Sequence, residues 1–174
     1  MMSTWAAFPH DNSAYYYDGT SLQEHWQLLH SGDRVEWPNG ENAQALVEAW
    51  QAFHQGDFEQ SVKLADAVGI EGHAIANKAT GIYADYLEED EARQQELYES
   101  IIERAERAME TYPEDPNSFY FHAYGLGRYS QSISITKALS QGLGGKVRKS
   151  LETTLELNPE HAEAHLAMGL FLSL

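Results

Sequence analysis

A recurring pair of helical patterns constrains the fold of this chain most strongly. The first pair covers residues 41–68, where small and apolar residues fall at helical spacing on either side of a turn at Gln55, Gly56 and Asp57. The pairing recurs as 74–86 with 98–112, and as 117 to about 139 with 146–157. Small residues at this spacing let two helix backbones approach closely. We find no alternating apolar pattern long enough for a strand, so the sequence predicts an all-α fold of stacked antiparallel helix pairs.

These patterns divide the chain into two regions. Residues 1–40 form an N-terminal extension with one helix, whose start is predicted from the capping-box spacing of Ser21 and Glu24. Three consecutive tyrosines, Tyr15 to Tyr17, are predicted to pack as an aromatic strip on a neighbouring helix. Residues 41–174 form the helical-repeat domain, with about three repeats and an incomplete fourth that begins at Ala162.

Composition excludes several classes of protein. The 174 residues contain no cysteine, which rules out disulfides, thiol nucleophiles and cysteine-ligated zinc. The formal net charge of −16 repels nucleic acids and anionic lipids over most of the surface. Because neither a signal peptide nor a membrane span is evident, we expect a soluble, cytoplasmic protein.

Three stretches resemble tetratricopeptide repeats. The first is the turn Gln55, Gly56, Asp57 and Phe58, and the second is the pattern Tyr98, Ile101, Ala105, Ala108 and Pro113. The third runs from Leu151 to Leu157, Asn158 and Pro159 and continues into the helix that starts at Ala162 and includes Gly169. The resemblance implies a tetratricopeptide-like (TPR-like) α-solenoid. Its repeats here are longer than the usual period of about 34 residues, with long insertions between helices A and B around residues 88–95 and 132–144. Such insertions project on one face of the stack, where repeat proteins often bind their partners.

A narrower likeness involves residues 120–128, which read Tyr-Phe-His-Ala-Tyr-Gly-Leu-Gly-Arg, together with the later segment that runs from Leu157, Asn158 and Pro159 to Met168 and Gly169. This combination is similar to the helical-repeat T-component of TRAP-type solute uptake. The resemblance implies an internal pocket or a partner that is a solute receptor. It therefore supplies a second hypothesis, in which the chain is an accessory component of a solute transport system.

The candidate binding site lies in a basic tract on an otherwise acidic chain. No acidic residue occurs between Asp115 and Glu152, and the charges in that interval are Arg128, Lys137, Lys146, Arg148 and Lys149. The spacing places Tyr120, Tyr124, Arg128 and Gln131 along one stripe of a helix. Aromatic rings beside a guanidinium suit a carboxylate or phosphate ligand with an apolar body. The alternative is an inter-helix contact in which Arg128 pairs with an acid of a neighbouring repeat.

A glycine-rich turn follows this stripe. Gly142, Gly144 and Gly145 precede Lys146, and backbone amides at a helix start beside a lysine bind anions. The full phosphate-loop motif is absent, however, and glycines also serve simply to turn a chain tightly. The predicted binding residues are Tyr120, Tyr124, Arg128, Gln131, Lys137, Gly144, Gly145 and Lys146.

No catalytic, metal or cofactor site is predicted. His161 and His165 are four residues apart, but their surroundings do not match a zinc-protease motif, and we interpret both as structural or surface residues. No nucleophile and base can be paired from the sequence. We therefore expect a non-enzymatic binding or scaffold module that recognises a protein partner or a small anionic ligand.

The last helical pattern presents an apolar surface. Leu166, Leu170, Phe171 and Leu174 lie on or near one face of a helix A that has no helix B after it in the sequence. Such a surface is normally covered by a neighbouring repeat. We expect either that the chain continues beyond Leu174 or that another subunit covers this face, which would make a homo-oligomer through the C-terminal helix.

Overall fold

The computed structural model describes residues 5–173, which form α-helices and two short 3-10 turns and contain no β-strand. The helices are α1 (Gly19–Leu29), α2 (Ala43–His54), α3 (Phe58–Val68), α4 (His73–Tyr86), α5 (Glu91–Thr111), α6 (Pro116–Ser132), α7 (Ile135–Ser140), α8 (Leu143–Leu157) and α9 (Ala162–Leu172). The all-α prediction is confirmed. Two parts of the sequence predictions lie outside the described residues. They are Leu174 of the predicted apolar face and residues 1–4 of the N-terminal stretch in which no signal peptide is evident.

Aspartate side chains cap four of the helices named above, α1, α3, α5 and α6. Asp57, Asp90 and Asp115 each accept a hydrogen bond from a backbone N–H of the following first turn, which satisfies one of the donors that a helix start leaves unpaired. The predicted start of α1 was wrong. Asp18, not Ser21, is the capping residue, and its carboxylate accepts the Ser21 backbone N–H at 2.8 Å, so α1 begins at Gly19.

Each helix packs mainly on its neighbours in the chain. Contacts join α2 with α3, α3 with α4, α4 with α5, and α5 with α6; α6 then packs on α8. The short connections between these helices favour antiparallel neighbours. Helix α9 is held less tightly, because it contacts α8 and Ala164 is its one buried residue among Ala162–Leu172.

The predicted long helix over residues 117–139 is two helices. It breaks at Ile133, whose backbone is extended, and Ser134 then caps the short helix α7. The predicted glycine turn is also shorter than expected. Only Gly142 adopts a left-handed conformation, with φ +63°, while Gly144 and Gly145 lie inside the first turn of α8. The residues expected as an insertion around 88–95 mostly lengthen helix α5, which begins at Glu91.

Two large apolar clusters form the core. One joins α1 to α4 around Leu22, Trp26 and Trp50, and the other joins α4 to α9 around Ile101 and Leu151. The tyrosine strip contributes less than predicted. Tyr17 packs against the first cluster, but Tyr15 and Tyr16 are 52% and 74% exposed, so the packing prediction was wrong for these two.

Helices α5 and α6 approach most closely at Gly125. A Cβ placed on this residue would lie 2.9 Å from Ile102 Cγ1 and 3.1 Å from Ile101 Cγ2. Gly127, on the same helix, has nothing within 4 Å of the equivalent position. Close helix packing therefore occurs at Gly125 and not at Gly127.

This contrast predicts opposite effects of two similar substitutions. Gly125→Ala should destabilise the protein by about 1–3 kcal/mol, because the added methyl group overpacks the contact with α5. Gly127→Ala should be neutral or stabilising by up to about 1 kcal/mol, since alanine has the higher helix propensity and meets no neighbour. Urea denaturation of both variants measures the difference, and equal stabilities would contradict the assigned contact.

Candidate functional site

A groove of about 430 Å³ opens between helices α6, α8 and α9, and we call it the α6/α9 groove. Its α6 wall carries Tyr120, Tyr124, Arg128 and Gln131, which are the four residues of the stripe predicted from helical spacing. They share one wall because side chains three and four residues apart project from the same face of a helix. The structure thus brings the predicted stripe to a concave surface.

The other walls of the α6/α9 groove are mainly apolar. Helix α8 contributes Val147 and Leu151, together with Gly144, and helix α9 contributes Leu166 and Leu170. Leu166 and Leu170 are 70% and 71% exposed, although each is a large aliphatic side chain. Unlike a typical surface helix, α9 therefore presents leucines to the groove rather than polar residues.

At one end of the groove, Arg128 is paired with Asp85 of helix α4. Its Nη2 lies 2.7 Å from Asp85 Oδ2, and the Asp85 side chain is 9% exposed. The same carboxylate accepts hydrogen bonds from the hydroxyls of Tyr124 (2.7 Å) and Tyr98 (2.9 Å). Burial, reinforced by the Asp85 charge, raises the pKa of Tyr98 to about 12. The guanidinium is therefore balanced within the protein, as the alternative interpretation of Arg128 predicted.

At the other end of the groove, Glu163 of α9 is also paired. Lys78 Nζ lies 3.2 Å from Glu163 Oε1 and also contacts the buried carboxylate of Asp33. Burial and the neighbouring Glu163 carboxylate raise the pKa of Tyr120 well above its usual range, so its ring remains neutral. The charged residues at both ends of the α6/α9 groove are thus paired within the protein, and apolar surface lies between them.

The remaining predicted cations do not converge on this groove. Lys137 lies on α7, where its Nζ is 3.1 Å from the Tyr129 hydroxyl and over the Tyr129 ring. Lys146 is exposed on α8 and lies near His122, while Gly145 is likewise outside the groove lining. An anion site that combines Arg128, Lys137 and Lys146 is therefore not assembled in this structure.

The histidines of α9 have structural surroundings. His161 is fully buried; its Nδ1 accepts the Ala164 backbone N–H and caps α9, and its Nε2 lies 3.0 Å from Asn117 Oδ1. His165 is exposed and contacts the Pro159 carbonyl through Nε2. Within residues 5–173, no group of three or more potential ligands is arranged to hold a metal ion.

Sequence reasoning missed a buried polar connection that we call the inner bridge, formed by Asp33, Lys78 and Glu163. Asp33 lies in the loop after α1, is 2% exposed and accepts from Lys78; its carboxylate also contacts His30 Nδ1 at 3.0 Å. The Ala162 backbone N–H donates to the Gly32 carbonyl beside it. The inner bridge therefore links the loop after α1 to the start of α9.

Comparison with known proteins gives no match: no protein-family model, no curated protein and no solved structure is significantly similar to this chain. Within residues 5–173, none of the helices combines the length and apolar character needed to cross a membrane.

The Asp85 cluster predicts a large cost for its removal. Asp85→Ala should destabilise the protein by about 2–4 kcal/mol, because it leaves Arg128 and two tyrosine hydroxyls without their shared acceptor. Glu152→Ala breaks the exposed pair with Arg148 and should cost less than about 1 kcal/mol. Thermal and urea unfolding compare the two variants, and a cost for Asp85→Ala as small as that for Glu152→Ala would contradict the cluster.

The burial of His54 predicts that the protein is sensitive to acid. Burial lowers the pKa of His54 to about 4, aided by the nearby His30 and Lys78. Because the unfolded state takes up a proton on this residue near its ordinary pKa of 6.5, the stability contributed by neutral His54 is present above that pH and is lost as the pH falls toward 4. Between pH 7 and pH 5 the loss attributable to His54 is about 2 kcal/mol.

Replacing His54 tests this linkage. The decrease in unfolding free energy between pH 7 and pH 5 should be smaller in His54→Gln than in the wild type by about the same 2 kcal/mol. His165→Gln is the matched control, because that ring is exposed and folding does not remove it from water. Urea denaturation at the two pH values measures both, and parallel pH profiles for wild type and His54→Gln would refute the assignment.

Proposed function

We propose that this protein is a non-enzymatic helical-repeat binding module with a TPR-like architecture, and that the α6/α9 groove receives an apolar segment of a protein partner. The observation that carries the proposal is the meeting of the Tyr120 and Tyr124 face of α6 with the exposed Leu166 and Leu170 of α9 in one concave groove. Exposed apolar surface of this kind marks an interaction site more often than an isolated surface leucine does.

The size and lining of the groove support a few large side chains as its contents. A volume of about 430 Å³ lies in the range of pockets that bind small molecules or peptide side chains. Tyrosine and leucine walls offer apolar contact, while Gln131 and Ser130 supply uncharged polar groups at the rim. A segment that buries leucine or aromatic side chains fits this lining.

Charge favours an apolar partner segment over a small anion. Arg128 is paired with Asp85, and Glu163 shares Lys78 with Asp33, so neither end of the groove offers a free cation to an anionic ligand. An anionic ligand would compete with Asp85, whose carboxylate already holds three donors. The other cations of the basic tract face elsewhere. Binding that depends on apolar contact should change little with salt concentration.

The TPR-like part of the proposal has its own support. Helix pairs follow one another in chain order, with the turn at Gln55 to Asp57 inside the first pair and Pro159 between α8 and α9. In such a stack the helices pack on their neighbours, and side chains from successive repeats meet on shared surfaces. The α6/α9 groove lies between two successive A-type helices of this arrangement.

Peptide binding tests whether the α6/α9 groove receives an apolar segment. Peptides selected against the wild-type protein from a random phage-displayed library should be rich in leucine and aromatic residues. Their affinities, measured by fluorescence anisotropy, should fall at least about tenfold in Leu166→Asp and Leu170→Asp, because each substitution places a charge where a leucine would be buried. Both leucines are exposed, so the variants should fold.

Leu139→Asp is the matched control for this experiment. Leu139 is 76% exposed on α7 and does not line the α6/α9 groove, so its substitution should leave peptide affinity unchanged. Peptides that bind Leu170→Asp as tightly as the wild type would overturn the proposal. Binding that weakens sharply as salt is added, and that is lost in Arg128→Ala alone, would instead favour a small anionic ligand.

A further inference from the structure

The N-terminal residues 5–12, which we call the arm, lie across the surface of helices α3 and α4 without forming a helix or strand. Trp5 stacks on Tyr83 of α4, with ring centroids 4.0 Å apart and an interplanar angle of 23°. The Ala6 backbone N–H donates to the Tyr83 hydroxyl at 2.9 Å. One tyrosine therefore contacts both a side chain and the backbone of the arm.

A second aromatic anchor lies three residues farther along. Phe8 packs edge-on against Phe58 of α3, with centroids 6.3 Å apart, and sits directly over Gly56. A Cβ on Gly56 would lie 2.7 Å from Phe8 Cγ, so the absent side chain makes room for this ring. Farther on, Asn12 Nδ2 donates to the Gln55 carbonyl at 2.8 Å.

Beneath the arm is a separate apolar cluster. Phe58, Ala79 and Tyr83 are its buried members, and Val62 and Ile82 pack against them. The arm itself contains no buried residue: Trp5 and Phe8 are half-buried, and the other positions from 5 to 12 are exposed. A surface segment in which none of the described side chains is fully buried belongs to the part of a structure that opens at low free-energy cost.

We propose that the surface beneath the arm binds an extended segment of a partner protein in which two aromatic side chains lie three residues apart. The arm occupies this surface in the free protein and competes with that segment for it. The chain's own Trp5, Ala6, Ala7 and Phe8 show which chemistry the site accepts. Pockets for spaced side chains, with a hydrogen bond to the backbone between them, are a common means of recognising extended peptides. Because the protein carries a net charge of −16, the segment is flanked by neutral or basic residues.

The arm lowers the affinity of the site for an added peptide. A tethered ligand acts at an effective concentration of the order of millimolar when its linker is short and flexible. Releasing the arm by substitution, while keeping the full chain, should therefore reveal binding that the wild type conceals. This site is distinct from the α6/α9 groove, so the two proposals stand or fall independently.

The probe is a fluorescein-labelled peptide with the sequence of residues 5–12. Full-length protein carrying Trp5→Ala and Phe8→Ala should bind it at least about tenfold more tightly than the wild type does. A peptide in which Phe8 is replaced by alanine should bind the same variant at least about tenfold more weakly, because one buried ring is lost. Fluorescence anisotropy measures each affinity, and circular dichroism confirms that the variants are helical.

Two further substitutions locate the binding. Adding Tyr83→Phe to the double variant keeps the ring that stacks on Trp5 but removes the hydroxyl that accepts the Ala6 N–H, and it should weaken peptide binding by about 2–10-fold. Adding Leu170→Asp alters the α6/α9 groove and should have no effect on the arm peptide. The single variant Phe8→Ala retains Trp5 and so releases the arm only in part. It should therefore bind the peptide with intermediate affinity.

Three results would overturn the proposal. The first is that the peptide fails to bind the variants in which the arm is released. The second is that the peptide binds equally well after its own Phe8→Ala change. The third is that the wild type forms concentration-dependent dimers that disappear in the Trp5→Ala and Phe8→Ala double variant. The site would then serve arm exchange between two copies of the chain instead of a partner segment.

Discussion

The structure depends on how helix α6 is held between α5 and α8. One face of α6 meets α5 where Gly125 permits close approach, and another meets α8, where His122 Nδ1 lies 2.7 Å from Ser150 Oγ. With two faces committed to packing, the orientation of the remaining Tyr120–Gln131 stripe is fixed. Helix α9 then supplies the opposite wall of the α6/α9 groove while burying only Ala164 of its own residues.

The charged residues at the two ends of the α6/α9 groove are paired within the protein, whereas its walls are apolar. Asp85 and Lys78 both lie on α4, and each pairs with a residue of another helix, Arg128 on α6 and Glu163 on α9. Partly buried charges are tolerated when an opposite charge and further hydrogen bonds satisfy them. Helix α4 therefore positions both ends of the groove.

The sequence could predict what is periodic and local. The helix pairs and the Tyr120, Tyr124, Arg128 and Gln131 stripe follow from spacing, which the helix geometry converts directly into shared faces. The partner of Arg128 could not be identified, because Asp85 is an ordinary acidic residue in a chain rich in acids. The inner bridge joins Lys78 to Glu163 across 85 residues, and no local pattern encodes that distance.

The arm and the glycines also show that sequence spacing alone does not predict every contact or turn. Residues 5–12 have no period, so nothing in their spacing indicates that Trp5 and Phe8 would cover α3 and α4. Gly142, Gly144 and Gly145 look alike in the sequence, yet only Gly142 takes up the left-handed backbone that requires glycine. Context, rather than residue type, decides which of several similar glycines makes the turn.

In the two binding modes proposed above, net charge and apolar recognition act on different steps. The charge of −16 produces a field that extends about 10 Å at 0.1 M salt, and it slows the approach of acidic partners before any contact forms. In both proposals affinity is set at short range, by apolar surface in the α6/α9 groove and beneath the arm. An acidic shell around such apolar sites would select among partners by charge during encounter and by side-chain shape after contact.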